Sequence, residues 1–188
     1  FGYINDGKNH WNTFYLDKPI NSNFERVFGI SYYRKSLAYR GIKCKQTLFA
    51  PFGEEEIILS EIEISNMGTT KRELSYYEYW DINFNIIGKQ TEPFGKLSSK
   101  FNSELKTLFI TSDKKNDDLI FLSAIGQTPI NGFDTDKESF FGNGVRVNPG
   151  HVIENSCANS TVSLFKPSGG SELCLVIKSD IAIDPNEA

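Results

Sequence analysis

The sequence predicts an all-β fold, an antiparallel β-sandwich, and three observations support this prediction. Short segments in which apolar and polar residues alternate recur along the chain, as expected for strands with one buried face. Clusters of Gly, Pro, Asn and Asp separate these segments, whereas helical periodicity is hard to find. The length of 188 residues is enough to bury one substantial core, so we expect a single domain over residues 1–188.

The first half of the chain contains the clearest strand signals. Ile42–Ala50 alternates apolar residues with Lys and Thr, which predicts a half-buried strand. Ile57–Ile64 and Arg72–Trp80 flank the polar turn Asn66–Thr70, and this arrangement predicts a β-hairpin. Strands at such regular spacing indicate two stacked antiparallel sheets. Further strands are predicted at Ser31–Tyr39, Thr107–Ser112, Leu119–Ile125, Ser160–Lys166 and Glu172–Lys178.

Two long stretches do not fit the strand pattern, Ile86–Glu104 and Gln127–Glu154. Both are rich in Gly, Asn, Pro and charged residues, so we expect irregular connections there, and a further loop at Pro167–Gly170. Long irregular connections in a compact domain often carry function. The candidate site is therefore sought in these two stretches.

Composition excludes several classes of protein. Twenty Lys and Arg against 24 Asp and Glu give a net charge of -4, which disfavours nucleic acid as a partner. No apolar run approaches the roughly 20 residues of a membrane-spanning helix, so no membrane partner is expected. Three cysteines at wide spacings form neither a disulfide framework nor a zinc cluster. Cys44 and Cys174 lie in apolar runs as small buried residues, which favours a reducing compartment and a cytoplasmic location.

The most specific motif lies in the second irregular stretch. Phe133, Asp134, Thr135 and Asp136, followed by Lys137 and by Phe-Phe-Gly at 140–142, resemble a motif of glycoside hydrolase family 94. That family usually has Arg at the position of Lys137. The segments Gly2–Asp6 with Trp11, Glu25–Gly29 and Gly41–Trp80 extend the likeness over nearly the whole chain. The family contains inverting disaccharide phosphorylases and cyclic β-1,2-glucan synthases.

This resemblance implies a large β-sandwich of the galactose-mutarotase-like supersandwich type. In the family's full-length enzymes, linker helices, an (α/α)6 barrel with the catalytic Asp, and a small β domain follow it. We therefore expect a fragment of a longer enzyme, lacking the first strands of its domain and not catalytic alone. The parent would be an inverting, phosphate-dependent glycoside phosphorylase or glycosyltransferase acting on β-linked glucosides.

The resemblance also implies partners for the chain. The family's N-terminal domain shapes the subunit interface and lends a loop to the sugar site, and the motif at Asp134 to Lys137 is the candidate for that loop. The expected partners are an oligosaccharide or disaccharide, the barrel of the same protein and, in a homodimer, a second copy. No cofactor and no metal are expected.

Six residues are the candidates for sugar binding. Alternating carboxylates can accept hydrogen bonds from sugar hydroxyls, cations can donate to them, and aromatic faces pack on the C–H patches of a pyranose ring. Three alternatives to sugar binding remain open: the motif could form a hydrogen-bonded structural loop or a calcium loop, and the aromatic residues could belong to the core. The candidates are Asp134, Asp136, Lys137, Arg146, Trp80 and Trp11.

No catalytic constellation emerges from the sequence. Glu78 and Asp81 would lie on different faces of one strand, which disfavours paired acid and base chemistry. His10 and His151 have no nucleophile at a recognisable spacing. Two other functions remain open beside the accessory domain: a free-standing lectin-like module that binds glycans, and a purely structural dimerisation domain.

Overall fold

The computed structural model describes residues 1–82, 96–112, 118–126, 128–161, 163–165 and 173–188. Within these ranges the chain forms antiparallel strands and two short helices, α1 (Lys137–Phe141) and α2 (Gly150–Ile153). This confirms the predicted antiparallel β-sandwich. The strands are β1 (Gly2–Asn5), β2 (His10–Asn12), β3 (Asn23–Gly29), β4 (Tyr32–Tyr39), β5 (Ile42–Phe49), β6 (Leu59–Asn66), β7 (Arg72–Ile82), β8 (Lys96–Asn102), β9 (Thr107–Ser112), β10 (Asp118–Ser123), β11 (Gly132–Asp136), β12 (Ser163–Phe165) and β13 (Leu173–Ile183).

A five-stranded sheet, in the order β11-β13-β7-β1-β2, forms the centre of the described structure. Its two longest strands, β7 and β13, have 11 residues each and pair over their whole length. Ile82 lies opposite Leu173 at one end of this pair, and Arg72 lies opposite Ile183 at the other. We call it the central sheet.

Two four-stranded sheets complete the described sandwich. The first, in the order β3-β4-β5-β6, is a chain of hairpins that we call the N-terminal sheet. Its β4–β5 turn consists of Arg40 and Gly41, whose φ angles of 53° and 80° both lie in the left-handed region that such two-residue turns require. The second, in the order β10-β9-β8-β12, is the C-terminal sheet.

Alternation along β7 explains how the three sheets stack. Leu74 and Tyr76 contribute to the core under the N-terminal sheet, while Trp80 and Ile82 contribute to the core under the C-terminal sheet. Because residues two apart share one face of a strand, both four-stranded sheets cover the same face of the central sheet. The sequence predicted two stacked sheets, and the structure divides the second layer into two.

A buried polar group lies on β7 where the two cores meet. Glu78 stands between Tyr76 and Trp80 on the same face and is almost inaccessible to solvent. Its Oε1 accepts hydrogen bonds from Gln46 Nε2 at 2.8 Å and from Ser60 Oγ at 3.2 Å, and its Oε2 accepts one from the Tyr76 hydroxyl at 2.5 Å. The seam between the cores is therefore polar.

The opposite face of the central sheet carries a third core. Tyr77 and Tyr79 of β7 lie there because they alternate with the residues that face the two smaller sheets. The segment from α1 to residue 158 covers them and contributes Phe140 and Val152, both fully buried. The remaining buried members of this core are Tyr3, Cys174 and Val176.

Most predicted strands coincide with observed ones, and the differences have physical causes. Lys96–Asn102 is strand β8 and Gly132–Asp136 is strand β11, although the sequence predicted irregular connections there. Strand β8 has polar residues on both of its faces, so its sequence lacks the regular alternation of apolar and polar residues that would have predicted a strand. The three strands before Ser31 were not predicted, because β1 and β2 are very short and β3 is largely exposed. The Pro167–Gly170 loop lies outside the described residues.

All three cysteines are free thiols. Cys44 and Cys174 are buried, as the apolar runs around them predicted, and Cys157 is half-buried. Burial raises the pKa of each thiol, so the thiols stay neutral. In the described part of the chain, no helix is long and apolar enough to cross a membrane.

Candidate functional site

Asp134 of β11 holds the segment that covers the third core. Its side chain has no exposed surface, because it points from the central sheet into this layer. One carboxylate oxygen accepts a hydrogen bond from the backbone N–H of Ala158 at 2.8 Å, and the other lies 3.0 Å from Nδ1 of His151. Burial raises the pKa of Asp134, and the hydrogen bonds from Ala158 and His151 oppose this shift.

The next two residues of the motif are also engaged in structural contacts. The Thr135 hydroxyl lies 2.8 Å from the Ser99 hydroxyl, which joins β11 to the C-terminal sheet. Asp136 caps the N-terminus of α1, since its side chain accepts a hydrogen bond from the Ser139 N–H at 2.7 Å. Three consecutive motif side chains thus fix the start of α1 in place.

Lys137, the first residue of α1, follows these three residues, and its side chain extends towards the central sheet. Its Nζ lies 2.6 Å from Oδ1 of Asp81, an exposed residue of β7. Asp81 shares a face with Tyr79 because the two are separated by one residue. The motif therefore places one cation, Lys137, at the edge of the central-sheet face that carries Tyr77 and Tyr79.

Arg146 reaches the same edge from the turn that follows α1. Its Nε lies 2.8 Å from Oδ2 of Asp17, and its guanidinium carbon lies 5.0 Å from the centre of the Phe14 ring. Its backbone oxygen accepts a hydrogen bond from the Tyr3 hydroxyl at 2.8 Å. These contacts join the turn to the loop between β2 and β3.

Lys137 and Arg146 lie on a cleft of about 600 Å³, which we call the aromatic cleft. Four aromatic side chains form its apolar surface, and Asp81, Lys137 and Arg146 supply its charged groups. Phe1 lies 5.0 Å from Phe14 and 5.2 Å from Tyr79, measured between ring centres. The lining residues are Phe1, Phe14, Tyr79, Asp81, Lys137, Phe141, Gly144, Val145 and Arg146.

The backbone of the turn beside this cleft is tightly packed at Gly144. A Cβ atom at this position would lie 2.1 Å from the Asn148 carbonyl oxygen and 2.8 Å from that of Phe141. These distances are far below van der Waals contact, so glycine alone fits without a shift of the backbone. The position of the Val145–Asn148 turn, and of Arg146 within it, is therefore well defined.

The aromatic cleft has the chemistry of a binding surface for a polar ligand with an apolar face. Each of its cations is paired with a carboxylate, so the rim offers both donors and acceptors without a large net charge. Burial raises the pKa of Tyr79, which keeps the phenol neutral and able to donate a hydrogen bond. In the described part of the molecule, no three His, Cys, Asp or Glu side chains gather as a metal site would require.

Two of the six predicted sugar-binding residues, Lys137 and Arg146, lie on the aromatic cleft. The structure places the other four elsewhere. Asp134 is buried under the segment that covers the third core, and Asp136 caps α1, as described above. Trp11 is 4% exposed in the core under the N-terminal sheet, and Trp80 packs against the core under the C-terminal sheet. These six assignments stay predictions.

Sequence reasoning missed the aromatic side of the cleft. Tyr79 and Asp81 alternate with Trp80 on β7, so the two-residue period of a strand could have shown that they lie on the opposite face from Trp80. Phe141 belongs to the motif and could have been considered with Lys137. No signal in the sequence indicates that Phe14, in a loop far from the motif, packs beside Arg146.

Comparison with known proteins agrees with the fold and the motif. Residues 1–188 match the supersandwich domain of glycosyl hydrolase 94. The chain belongs to this family, which confirms the resemblance seen in the sequence. It is also 24% identical, over 153 residues, to an N,N'-diacetylchitobiose phosphorylase of Vibrio furnissii. That match covers 79% of this chain and 19% of the relative, so the chain spans about a fifth of the length of the curated protein it matches.

Proposed function

We propose that the chain is the non-catalytic accessory domain of a glycoside phosphorylase or glycosyltransferase acting on β-linked glucosides, and that its aromatic cleft binds the sugar. The observation that carries this proposal is the arrangement of the motif. Asp134, Thr135 and Asp136 are used to fix α1, and Lys137 is held on the cleft as a result. A scaffold of this kind is expected where a side chain must meet a ligand in one position.

The composition of the cleft supports a carbohydrate ligand. Aromatic faces such as Phe14 and Tyr79 can pack on the apolar side of a pyranose ring, and Lys137 and Arg146 can donate hydrogen bonds to its hydroxyls. The matched relative is an N,N'-diacetylchitobiose phosphorylase, which favours a disaccharide. In this proposal the catalytic acid is supplied by a helical barrel of the same full-length protein, and the site is completed in a cytoplasmic homodimer.

A nuclear magnetic resonance titration tests the binding role directly. Cellobiose, laminaribiose, sophorose, N,N'-diacetylchitobiose and inorganic phosphate are added in turn while the amide signals of residues 137–146 are followed. We expect saturable shifts confined to this segment and to the neighbours of Phe14, with one linkage producing the tightest binding. The absence of shifts with all five compounds would contradict a sugar site on this domain.

Matched variants make the titration specific. Lys137→Ala and Arg146→Ala should each weaken the tightest sugar by about tenfold, because each removes a charged donor. Lys45→Ala is the control: Lys45 pairs with Glu63 on the outer face of the N-terminal sheet, far from the cleft. Equal affinity of all three variants and the unaltered chain would contradict the assigned roles.

A structural interface is a second candidate function, favoured by the far end of the N-terminal sheet. Phe28 of β3 is 74% exposed, although it shares a face with residues that are buried closer to the central sheet. Its ring lies 5.0 Å from that of Tyr33, and Ile30, Phe52 and Ile58 are also highly exposed. Clustered exposed apolar side chains commonly mark protein interfaces.

Sedimentation velocity at increasing protein concentration tests this second candidate. If the apolar end joins two copies, Phe28→Ser should lower the dimer fraction. Phe121→Ser serves as the control, because Phe121 is half exposed on the C-terminal sheet and lies outside this apolar group. A monomer at all concentrations, or equal dimer fractions in both variants, would rule out a dimer through this surface.

A further inference from the structure

A second cleft lies at the opposite end of β7 from the aromatic cleft. Three hairpin turns converge there: residues 6–9 between β1 and β2, residues 40–41 between β4 and β5, and residues 67–71 between β6 and β7. Arg72 and Asp81, one beside each cleft, are nine residues apart on β7, or about 30 Å at the usual rise of a strand. This turn cleft has a volume of about 510 Å³ and is lined by Asp6, Lys8, Asn9, Arg40, Thr70 and Arg72.

Hydrogen bonds within and between the turns keep the walls of the turn cleft in place. The Asp6 N–H donates to the Asn9 carbonyl at 2.9 Å, which closes the first turn. The Met67 N–H donates to the Gly41 carbonyl at 2.8 Å, which joins the second turn to the third. The walls are thus fixed by backbone contacts, and a ligand would not have to order them.

Positive charge dominates the turn cleft. Its lining contains Lys8, Arg40 and Arg72 but a single carboxylate, that of Asp6. Asp6 is already satisfied, because its Oδ1 accepts from the backbone N–H groups of Lys8 and Asn9 and its Oδ2 lies 2.9 Å from the Arg72 guanidinium. Although burial acts to raise the pKa of Asp6, these hydrogen bonds and the charge of Arg72 outweigh it and lower the pKa.

Two of the three cations are available to a ligand. Arg72 is engaged, since it also donates to the Arg40 carbonyl at 3.2 Å. The Arg40 guanidinium lies 6.0 Å from the centre of the Tyr39 ring, and both its side chain and that of Lys8 are exposed. Among the described residues, neither the Arg40 guanidinium nor the Lys8 ammonium has a carboxylate or hydrogen-bond partner.

We propose that the turn cleft binds an oxyanion of the phosphate type, either inorganic phosphate or the phosphate group of a sugar phosphate. Arg40 and Lys8 supply the free charges, the Thr70 hydroxyl can donate a hydrogen bond, and Asp6 holds Arg72 as a fixed charge at one wall. An Arg guanidinium matches two oxygens of a phosphate group, and an ammonium adds a point charge. This assignment is independent of sugar binding in the aromatic cleft.

Isothermal titration calorimetry at constant ionic strength tests the proposal with three probes: inorganic phosphate, glucose 1-phosphate and uncharged glucose. We expect saturable binding of phosphate at millimolar concentration. Tighter binding of glucose 1-phosphate than of phosphate would identify a sugar phosphate as the ligand, and equal affinity would identify inorganic phosphate. Binding of glucose equal to that of glucose 1-phosphate, or no saturable binding of either phosphate compound, would overturn the proposal.

Variants locate the binding in this cleft. Arg40→Gly should weaken phosphate binding by about tenfold, and adding Lys8→Ala should weaken it by about tenfold again. Glycine suits the φ of 53° at position 40, so the fold should be retained, as an unchanged thermal midpoint would verify. Arg34→Ala, which removes an exposed Arg near the start of β4, at the other end of the strand from Arg40, is the matched control. Equal loss of affinity in the control, or no loss in the double variant, would overturn the assignment even if sugar binding persists elsewhere.

Discussion

The two faces of the central sheet are covered in different ways, and their buried charges have different roles. On one face, two regular sheets meet at a seam in which Glu78 and Lys35 are almost inaccessible to solvent. On the other face, an irregular segment of the chain is tied down by Asp134. Regular sheets supply their own backbone hydrogen bonds, whereas an irregular cover depends on specific side-chain contacts to be held in one arrangement.

The seam contains a cation that is poorly solvated. Lys35 Nζ donates to the Thr13 carbonyl at 3.1 Å and to the Thr13 hydroxyl at 3.0 Å. Burial lowers the pKa of Lys35 to about 8, although the nearby charge of Glu78 acts in the opposite direction. This face therefore carries a buried charge that costs stability, while the charge on the other face organises the chain around it.

The largest effect should follow from breaking the irregular cover. Asp134→Ala removes the acceptor for the Ala158 N–H and the partner of His151, and leaves this partly buried N–H without its hydrogen bond. We expect a loss of about 3 kcal/mol in the free energy of unfolding, measured by urea denaturation. Hydrogen exchange of residues 150–158 should accelerate more than that of β7. Uniform acceleration across the central sheet would show that Asp134 does not act locally.

Stability measured as a function of pH tests the buried cation of the seam, Lys35. In the unfolded chain Lys35 has its ordinary pKa of 10.5, so between pH 8 and 10.5 the unfolded state binds more protons than the folded state. Stability of the parent chain should therefore rise relative to Lys35→Met, by about 2 kcal/mol from pH 7 to pH 9.5.

The difference between the two chains is the quantity to measure, because the cysteines lose their protons in this pH range in the unfolded state of both chains but stay neutral in the folded state. Lys45→Met, at a partly exposed pair, is the control and should show no such divergence. A constant difference between the parent chain and Lys35→Met across this pH range would mean that Lys35 does not titrate as described.

A smaller effect is expected from the cap of α1. Asp136→Ala removes the hydrogen bond to the Ser139 N–H and should cost about 1 kcal/mol of unfolding free energy, as caps usually do. Asp136→Asn should restore most of this loss, because Asn is also a good cap. The amide signals of Lys137 should broaden in the Ala variant; unchanged signals would argue that the cap does not fix the cleft.

Local pattern predicted strands that alternate or flank a clear turn, and failed elsewhere for identifiable reasons. β5 was predicted because it alternates over many residues, and β7, which is buried on both faces, was predicted from the polar turn Asn66–Thr70 before it. β11 was hidden because Asp134, a carboxylate in a loop-like sequence, is buried by a long-range contact with residues 151–158. Contacts between residues far apart in the chain leave no periodic signal.

The candidate site shows the same limit. The motif suggested Lys137, Asp134 and Asp136 together as ligands to sugar, and the sequence did not show that the two carboxylates accept hydrogen bonds from backbone N–H groups. Alternation alone cannot tell which side of an extended segment meets solvent. A bulge between Asp134 and Asp136 in the pairing with β13 disturbs that alternation further.

The pairing of β7 with β13 over their full length has a consequence for how the domain unfolds. Both strands contribute side chains to the core under each four-stranded sheet, so opening the ladder between them would disrupt both cores at once. The domain should consequently melt in a single transition, with equal calorimetric and van't Hoff enthalpies, although two separate four-stranded sheets cover one face of the central sheet. The two clefts lie at opposite ends of this ladder, beside Arg72 and Asp81 of β7.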